Sequence, residues 1–439
     1  MSRNNGNKAQ ANCQCIAVPA VNGADKRLTD QIHQNGSWLR TARRIMAISC
    51  SLLLLSGCWS RREIEDLNFT VAAAIDLGHA VKQEQEFEKK DADYPRERRL
   101  VLTYQMAKPE QSSGQEASGN KKKYRNVSLS GDSIYQISRE ISLKESKPIF
   151  GQHYKALVIG SELAKQMNFR EVLDFFMREQ EFRPSCLVYV SKGTGQEILD
   201  TNTSGEIPAL RLLGISDNHY RTNRLLKPMS LTNLQDKLNS MTSFLLQNVV
   251  TANEELKLSG ASVISGKTGK QLGYLNEEDM EAVNWVLGGA KGGIVKSKDN
   301  ATGQISAYEI TNVKSHITPH VENGRISYDV RVESDGRLGE QMSGGNDFDN
   351  KFLKRLEADT EKRIKELVTK LFNKLQKEYR ADVLRFGDKL RIAYPRLWEQ
   401  EKENWDETFS TAVIRYDVKV TIREYGTSNM RERQSEAQS

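Results

Sequence analysis

The stretch Phe352–Tyr379, FLKRLEADTEKRIKELVTKLFNKLQKEY, decides the fold class. In it Leu353, Leu356, Ile364, Leu367, Leu371, Leu375 and Tyr379 recur at steps of three, four or multiples of four, which sets them on one stripe of a helix. Charged residues fill the opposite face. On both sides the period changes from 3.6 to two. Upstream, Ile326, Tyr328, Val330 and Val332 alternate with Ser327, Asp329, Arg331 and Glu333; downstream, Ile414, Tyr416, Val418, Val420 and Ile422 alternate with Arg415, Asp417, Lys419, Thr421 and Arg423. Each reads as a strand with one buried face. With the apolar stretch Ile305–Ile317 before them, the order strand, strand, long helix, strand predicts an antiparallel sheet packed on a long amphipathic helix, and an α+β fold.

Toward the amino terminus the pattern is more varied. The runs Phe69–Leu77 and Leu100–Met106 predict two strands of one sheet, followed by a helix over Ile134, Ile137, Ile141 and Leu143. Tyr154–Ile159 and Cys186–Val190 read as buried strands around an amphipathic helix, Glu162–Arg178. Ala261–Leu275 carries Ser265-Gly266-Lys267-Thr268-Gly269-Lys270 between two apolar segments, a hairpin signal. Glu110–Lys123 and Ser334–Asn350 read as surface loops, and Gly288, Gly289, Gly292 and Gly293 as a flexible crossing between domains. The chain of 439 residues is long for one domain. The expected division is 1–57 for an extension plus signal peptide, 58–200 for an α/β domain, 201–300 for a middle domain, 301–426 for the sheet-plus-helix domain and 427–439 for a polar tail. The fold class is thus α+β with mixed and antiparallel sheets, and the three-domain count is what the family resemblance given below implies.

The net charge of +6 would invite a nucleic-acid reading until it is located. Residues 1–57 hold seven basic and two acidic side chains, leaving net +1 for the rest. Arg40, Arg43 and Arg44 precede the apolar run Ile45–Leu55, which ends in Leu55-Ser56-Gly57-Cys58. A basic flank, a short apolar run and small residues are the parts of a signal peptide, and the run is too short to span a bilayer, which takes about 20 apolar residues. The Leu-Ser-Gly-Cys ending resembles a bacterial lipobox, which implies cleavage between Gly57 and Cys58 and a diacylglyceryl and N-acyl lipid on Cys58. Two or more acyl chains make a stable anchor where one is marginal. Cys13, Cys15 and Cys50 fall before the cleavage point, so Cys58 and Cys186 remain.

The sequence carries few motifs with a chemistry of their own. Gly266-Lys267-Thr268 has Ala261 where a phosphate loop needs glycine, and Gly193-Thr194-Gly195 has Ile198 where a dinucleotide loop needs one. His316 and His320 stand four apart, but Pro319 argues against a helix, so no metal site is expected. Cys186 reads as a buried thiol and Glu277, Glu278 and Asp279 as a helix start. Neither an enzyme nor a nucleic-acid binder is expected.

Several motifs in fixed order carry a resemblance. They are Cys58-Trp59 with Glu63; Ala74-Ile75-Asp76; Thr103-Tyr104-Gln105-Met106-Ala107-Lys108-Pro109; and His153–Gly160. Further on come Val172–Arg178 with Arg183, Lys270–Leu275, Ala381-Asp382-Val383 before Phe386-Gly387, and the pair Trp398 and Trp405. Over about Ala47–Gly426 the chain resembles the C-subunit lipoproteins of spore germinant receptors, the Ger(x)C family. The resemblance implies a non-catalytic subunit on the outer face of the spore inner membrane, held there by lipid on Cys58. It also implies assembly with integral-membrane A- and B-type receptor subunits and a role in nutrient-triggered germination. The rival reading is a lipid-anchored solute-binding protein of a transporter, which would need two lobes of repeated βαβ units.

Overall fold

The computed structural model describes residues 67–78, 100–108, 122–179, 182–202, 205–298, 305–341 and 350–424, with isolated positions at 42–47, 49, 86, 89–90 and 303. Gly57 and Cys58, the loop proposed over Glu110–Lys123 except its end, and the tail 427–439 lie outside the described residues. The chain divides into two compact units, Met1–Glu65 and Asp66–Ser439. In the first, residues 42–47 are helical.

The second unit holds a nine-stranded and a four-stranded sheet. Strands β1 (Asn68–Leu77), β2 (Leu100–Ala107) and β3 (Tyr124–Gly131) form an antiparallel meander, followed by helix α1 (Ile134–Glu140). The short β4 (Ile149–Phe150) and then β5 (Ala156–Ile159) pair with β1 in parallel. Helices α2 (Ser161–Gln166) and α3 (Phe169–Arg178) lead to β6 (Leu187–Ser191), which is parallel to β5. After α4 (Gly195–Asp200), α5 (Pro208–Ser216) and α6 (Leu231–Asn239), strands β7 (Phe244–Ala252), β8 (Glu255–Ile264) and β9 (Gln271–Leu275) complete the sheet. Its order is β3-β2-β1-β5-β6-β7-β8-β9, with β4 beside β1. β1 lies inside the sheet, between antiparallel β2 and parallel β5, with buried cores on both of its faces, hence its nearly continuous burial. Ala73 and Ile75 face a core with Leu102, Tyr104, Leu173 and Phe176; Val71 and Ala74 face another with Ile198 and Leu212.

The four-stranded sheet takes the order β10 (Ile294–Lys298), β11 (Ile305–Glu322), β12 (Arg325–Gln341), β13 (Val413–Glu424). Helix α7 (Glu277–Leu287) precedes it, and α8 (Asn350–Asn373) with its π-helical end Lys374–Glu378 packs on it. Helices α9 (Phe386–Ala393), α10 (Pro395–Glu401) and α11 (Trp405–Thr411) join α8 to β13. The expected sheet on a long amphipathic helix is present. Its last strand, however, runs parallel to β12, from Ser327↔Val413 to Arg337↔Glu424, so this sheet is mixed. Direction follows from the connection: the chain leaves β12, returns along α8 and crosses α9–α11 before β13 starts at the end where β12 starts.

Four sequence expectations change on physical grounds. The division at residue 200 does not interrupt a sheet, because β6 pairs with β7 at Val190↔Asn248 and Ser191↔Val249. The Gly-rich stretch from Ser334 stays in β12 as far as Gln341 because Gly336 lets the Tyr308 ring lie flat on the strand; a Cβ there would sit 2.4 Å from that ring. The expected helix Glu162–Arg178 breaks in two at Asn168, whose side chain accepts from Arg170 N–H and caps α3 while Phe169 N–H reaches the Gly269 carbonyl. The crossing at Gly288–Gly293 is hydrogen-bonded along the edge of β11, Gly289 N–H to Val313 O and Ile310 N–H to Gly293 O, both 2.9 Å.

Candidate functional site

The amino-acid types picked out by the motifs meet at two places. The first lies at the carboxyl ends of β1, β5 and β6. Asp76 leaves β1 and accepts from Gly195 N–H at 2.6 Å and Gln196 N–H at 2.9 Å, capping α4, whose own Thr194 and Glu197 form a capping box. Gly160 at the end of β5 leaves room for it: a Cβ there would sit 2.0 Å from Asp76 Oδ1. Burial raises the Asp76 carboxyl to about 6, the two amides hold it down, and Glu197 adds a smaller upward push. The motifs around Asp76, Gly160 and Gly193-Thr194-Gly195 therefore make one buried joint, not a phosphate loop.

The second place is a cleft of about 860 Å³ between the β7–β9 loops and α9–α11. Its floor is built around Asp382, which is fully buried. One oxygen accepts from Leu384 N–H at 3.0 Å and Phe386 N–H at 3.2 Å, the other from Gly387 N–H and Trp405 Nε1–H, each at 2.7 Å. Burial raises its pKa against the Gly387, Trp405 and Phe386 donors, and Asp406 pushes the same way. Gly387 is required by packing: a Cβ would lie 2.7 Å from Trp405 Nε1 and 2.9 Å from the Trp398 ring. The two indoles stand 5.4 Å apart at 59°, so Asp382, Phe386, Gly387, Trp398 and Trp405 of this late motif serve one structure.

Asp406 then ties this floor to the large sheet. Its Oδ1 accepts from Asp382 N–H at 2.9 Å and its Oδ2 from Ser243 Oγ–H at 2.6 Å, and Ser243 Oγ in turn accepts from Gly266 N–H at 3.0 Å. Burial raises the Asp406 pKa, opposed by the Ser243 hydroxyl, the Asp382 amide and, from farther off, Lys267. Tyr379 makes a parallel tie. Its ring covers Gly273 of β9, where a Cβ would lie 2.4 Å from it, and its hydroxyl donates to Tyr274 O at 3.0 Å. Sequence reading named Asp382, Gly387, Trp398, Trp405 and the Lys270–Leu275 segment, but it missed Ser243 and Asp406. Ser243 stands alone ahead of an apolar run, and its partner lies 163 residues away.

The remaining candidates have other settings. Ser265–Lys270 is the β8–β9 turn, closed by Gly269 N–H to Ser265 O at 2.8 Å. Glu277, Glu278 and Asp279 open α7, with an Asn276–Asp279 capping box, and pair with Lys257, Arg363 and Lys374. His316 and His320 sit on β11, where four residues span about 13 Å, too far apart to share one ion. Cys186 is buried, which pushes its thiol up to about 12. At neutral pH it is a packed thiol, not a thiolate.

Comparison with known proteins covers both halves. Residues 60–251 match the spore germination protein N-terminal domain, and residues 259–426 match the model described as spore germination B3/GerAC like, C-terminal. The chain is 42% identical to spore germination protein YndF of Bacillus subtilis over 390 residues, covering 87% of this chain and 96% of that one. It is 29% identical to spore germination protein B3 of the same organism, covering 89% and 99%. The crystal structure of the GerBC protein aligns with a TM-score of 0.55 at 25% identity, over 75% of this chain and 96% of that one. The joints at Asp76 and Asp382 thus stand in a chain similar to these relatives over nearly its whole length, and the chain belongs to the spore germination B3/GerAC-like family.

Proposed function

We propose that this protein is the lipid-anchored, non-catalytic subunit of a nutrient germinant receptor, working in spore germination beside integral-membrane A- and B-type subunits. The observation that carries the reading is the match to spore germination proteins over almost the full chain, joined to the Leu55-Ser56-Gly57-Cys58 sequence ahead of the matched domains. Among the described residues no helix is long and apolar enough to cross a membrane. In this proposal Cys58 carries the diacylglycerol and holds the chain at the outer face of the spore inner membrane. Tethering raises its effective concentration near its partners. The transporter reading loses ground because the parallel strands β1, β5, β6 and β7 lie in one sheet, while the other sheet is antiparallel except at β13.

Replacing the anchor is the test. Cys58→Ala is expected to move the chain from the membrane to the soluble fraction and to abolish nutrient-triggered germination, while non-nutrient triggers still act. Full membrane retention of that variant would overturn the anchor; normal nutrient response despite release would overturn the receptor role.

A further inference from the structure

The receptor reading does not say which face meets a partner. We infer that the cleft between the β7–β9 loops and α9–α11 receives an integral-membrane receptor subunit, through an apolar segment of that subunit that carries acidic side chains. This inference rests on the receptor reading above.

Three observations support it. The first is an apolar lip presented to solvent. Met241 is 65% exposed yet held at φ 51°, a left-handed conformation that side-chain-bearing residues rarely adopt. Its neighbours fix it there: Met241 N–H donates to Leu238 O at 3.2 Å, and Gly266 packs so closely that a Cβ would sit 2.1 Å from the Met241 carbonyl oxygen. Little of this side chain is used inside the protein, and such enforced conformations concentrate at functional surfaces. Leu272 of β9 lines the same cleft at 44% exposure, and Ile392, next to the lining residue Arg391, is 71% exposed.

The second observation is the charge left over at the walls. Arg380 pairs with Glu407, Asp388 with Arg385 at 2.8 Å and Lys402 with Glu399 at 2.6 Å, while Asp406 is engaged by Ser243 and the Asp382 amide. Among the described residues, Lys267 on the β8–β9 turn and Arg391 on α9 have no ion-pair partner. One acidic wall residue, Glu403, lies near Lys402. Lys267, which also acts on Asp406 across the cleft, and Arg391 on the opposing wall are cations without an ion-pair partner among the described residues, and they fit carboxylates brought by the occupant.

The third is shape. The floor is prebuilt by the Trp398–Trp405 pair and the Asp382 hydrogen bonds, so binding need not order it. Small-molecule sites enclose their ligands. This cleft is half-enclosed, and Ile392 is not among its lining residues, so a small molecule held between its walls would leave that exposed side chain in water. A protein segment covers floor and lip together, and Trp, Tyr, Met and Arg are the residue types that interfaces favour.

The test uses the full lipidated chain in spore membranes. A photoreactive benzoylphenylalanine in place of Met241 is expected to crosslink to an integral-membrane subunit, in a peptide containing Asp or Glu. The same probe at Leu143, exposed and outside the cleft lining, is expected to give no such product. The double variant Lys267→Glu/Arg391→Glu is expected to lower the amount of co-purified subunit at least tenfold, with membrane retention and circular dichroism unchanged. If that variant recovers as much subunit as the wild type, or if the Met241 probe reaches no integral-membrane protein while the wild type still co-purifies one, the cleft assignment falls and the receptor reading stands. If the wild type co-purifies no integral-membrane subunit, both fall. Loss of nutrient response with the subunit retained would assign the cleft to a small molecule and overturn the proposal.

Discussion

Asp76 shows how much one residue position can hold. Its carboxylate is buried at the end of a central strand and serves as the amino-terminal cap of a helix 119 residues later in the chain. Burial favours the neutral form, so its pKa rises from the ordinary 3.8 to about 6 in the folded chain. A raised folded-state value means that the native state holds the proton more tightly than the unfolded one. Stability from this group is therefore full below pH 3.8 and is lost as pH rises through about 6. The expected slope amounts to on the order of 2–3 kcal/mol across that window. Urea titrations of the wild type and Asp76→Asn between pH 4 and 7 check it: the stability lost in the variant should be larger in the acid half and shrink as pH rises through about 6. A pH-independent difference would show that the amides cancel the burial. From sequence alone Asp76 was legible as a motif residue, but not as a cap, because its partners are backbone amides that any sequence supplies. Gly160 and Gly387 were legible in the same limited way, as quoted motif positions whose reason is a side chain from elsewhere in the fold.

Among the elements, β13 shows how an edge strand is protected. It closes the four-stranded sheet, and its outward N–H groups at Val420 and Ile422 donate to Glu361 and Glu357 of α8 at 2.9 and 2.8 Å. Lys365 continues the seam with Asp417 at 2.8 Å. Positions 357, 361 and 365 are one turn apart, so a stripe of α8 takes the place of a neighbouring strand. Sequence reading placed these residues on the charged, solvent-facing side of the helix, which was half right: two of them accept from backbone. Edge strands with open N–H groups are templates for aggregation. Glu357→Ala/Glu361→Ala is expected to cost about 1–2 kcal/mol in urea unfolding, and light scattering should show concentration-dependent association. A stable, monodisperse double variant would show that the edge needs no such cover. On the other side β10 pairs only Ile305–Glu309 of β11, and beyond that stretch Pro319 on β11 has no N–H to offer.

At the scale of the whole molecule the two sheets are held by one core. It runs from Leu245, Val263 and Leu275 through Trp285 and Val286 of α7 to Tyr328, Val332, Leu367 and Leu371. Ser243–Asp406 and Tyr379–Tyr274 add polar ties across the same junction. A core shared in this way predicts one cooperative transition for Asp66–Ser439. In urea, tryptophan fluorescence and far-ultraviolet circular dichroism of the lipid-free Cys58→Ala chain should give coincident curves. Two separated transitions would mean that the sheets unfold independently.

The kinds of elements, the long helix, most strands, the β8–β9 hairpin and the family resemblance were determined by sequence alone. These signals are local: a period of two or 3.6, a turn of glycines. Neighbour relations were decided by the tertiary structure. It joined β6 to β7 across the expected boundary, ran β13 parallel to β12, kept Gly336 in a strand under Tyr308, and brought Ser243 to Asp406. Those outcomes depend on backbone groups and packing partners tens to more than a hundred residues apart, and a repeating pattern says which face of an element is buried without saying what covers it.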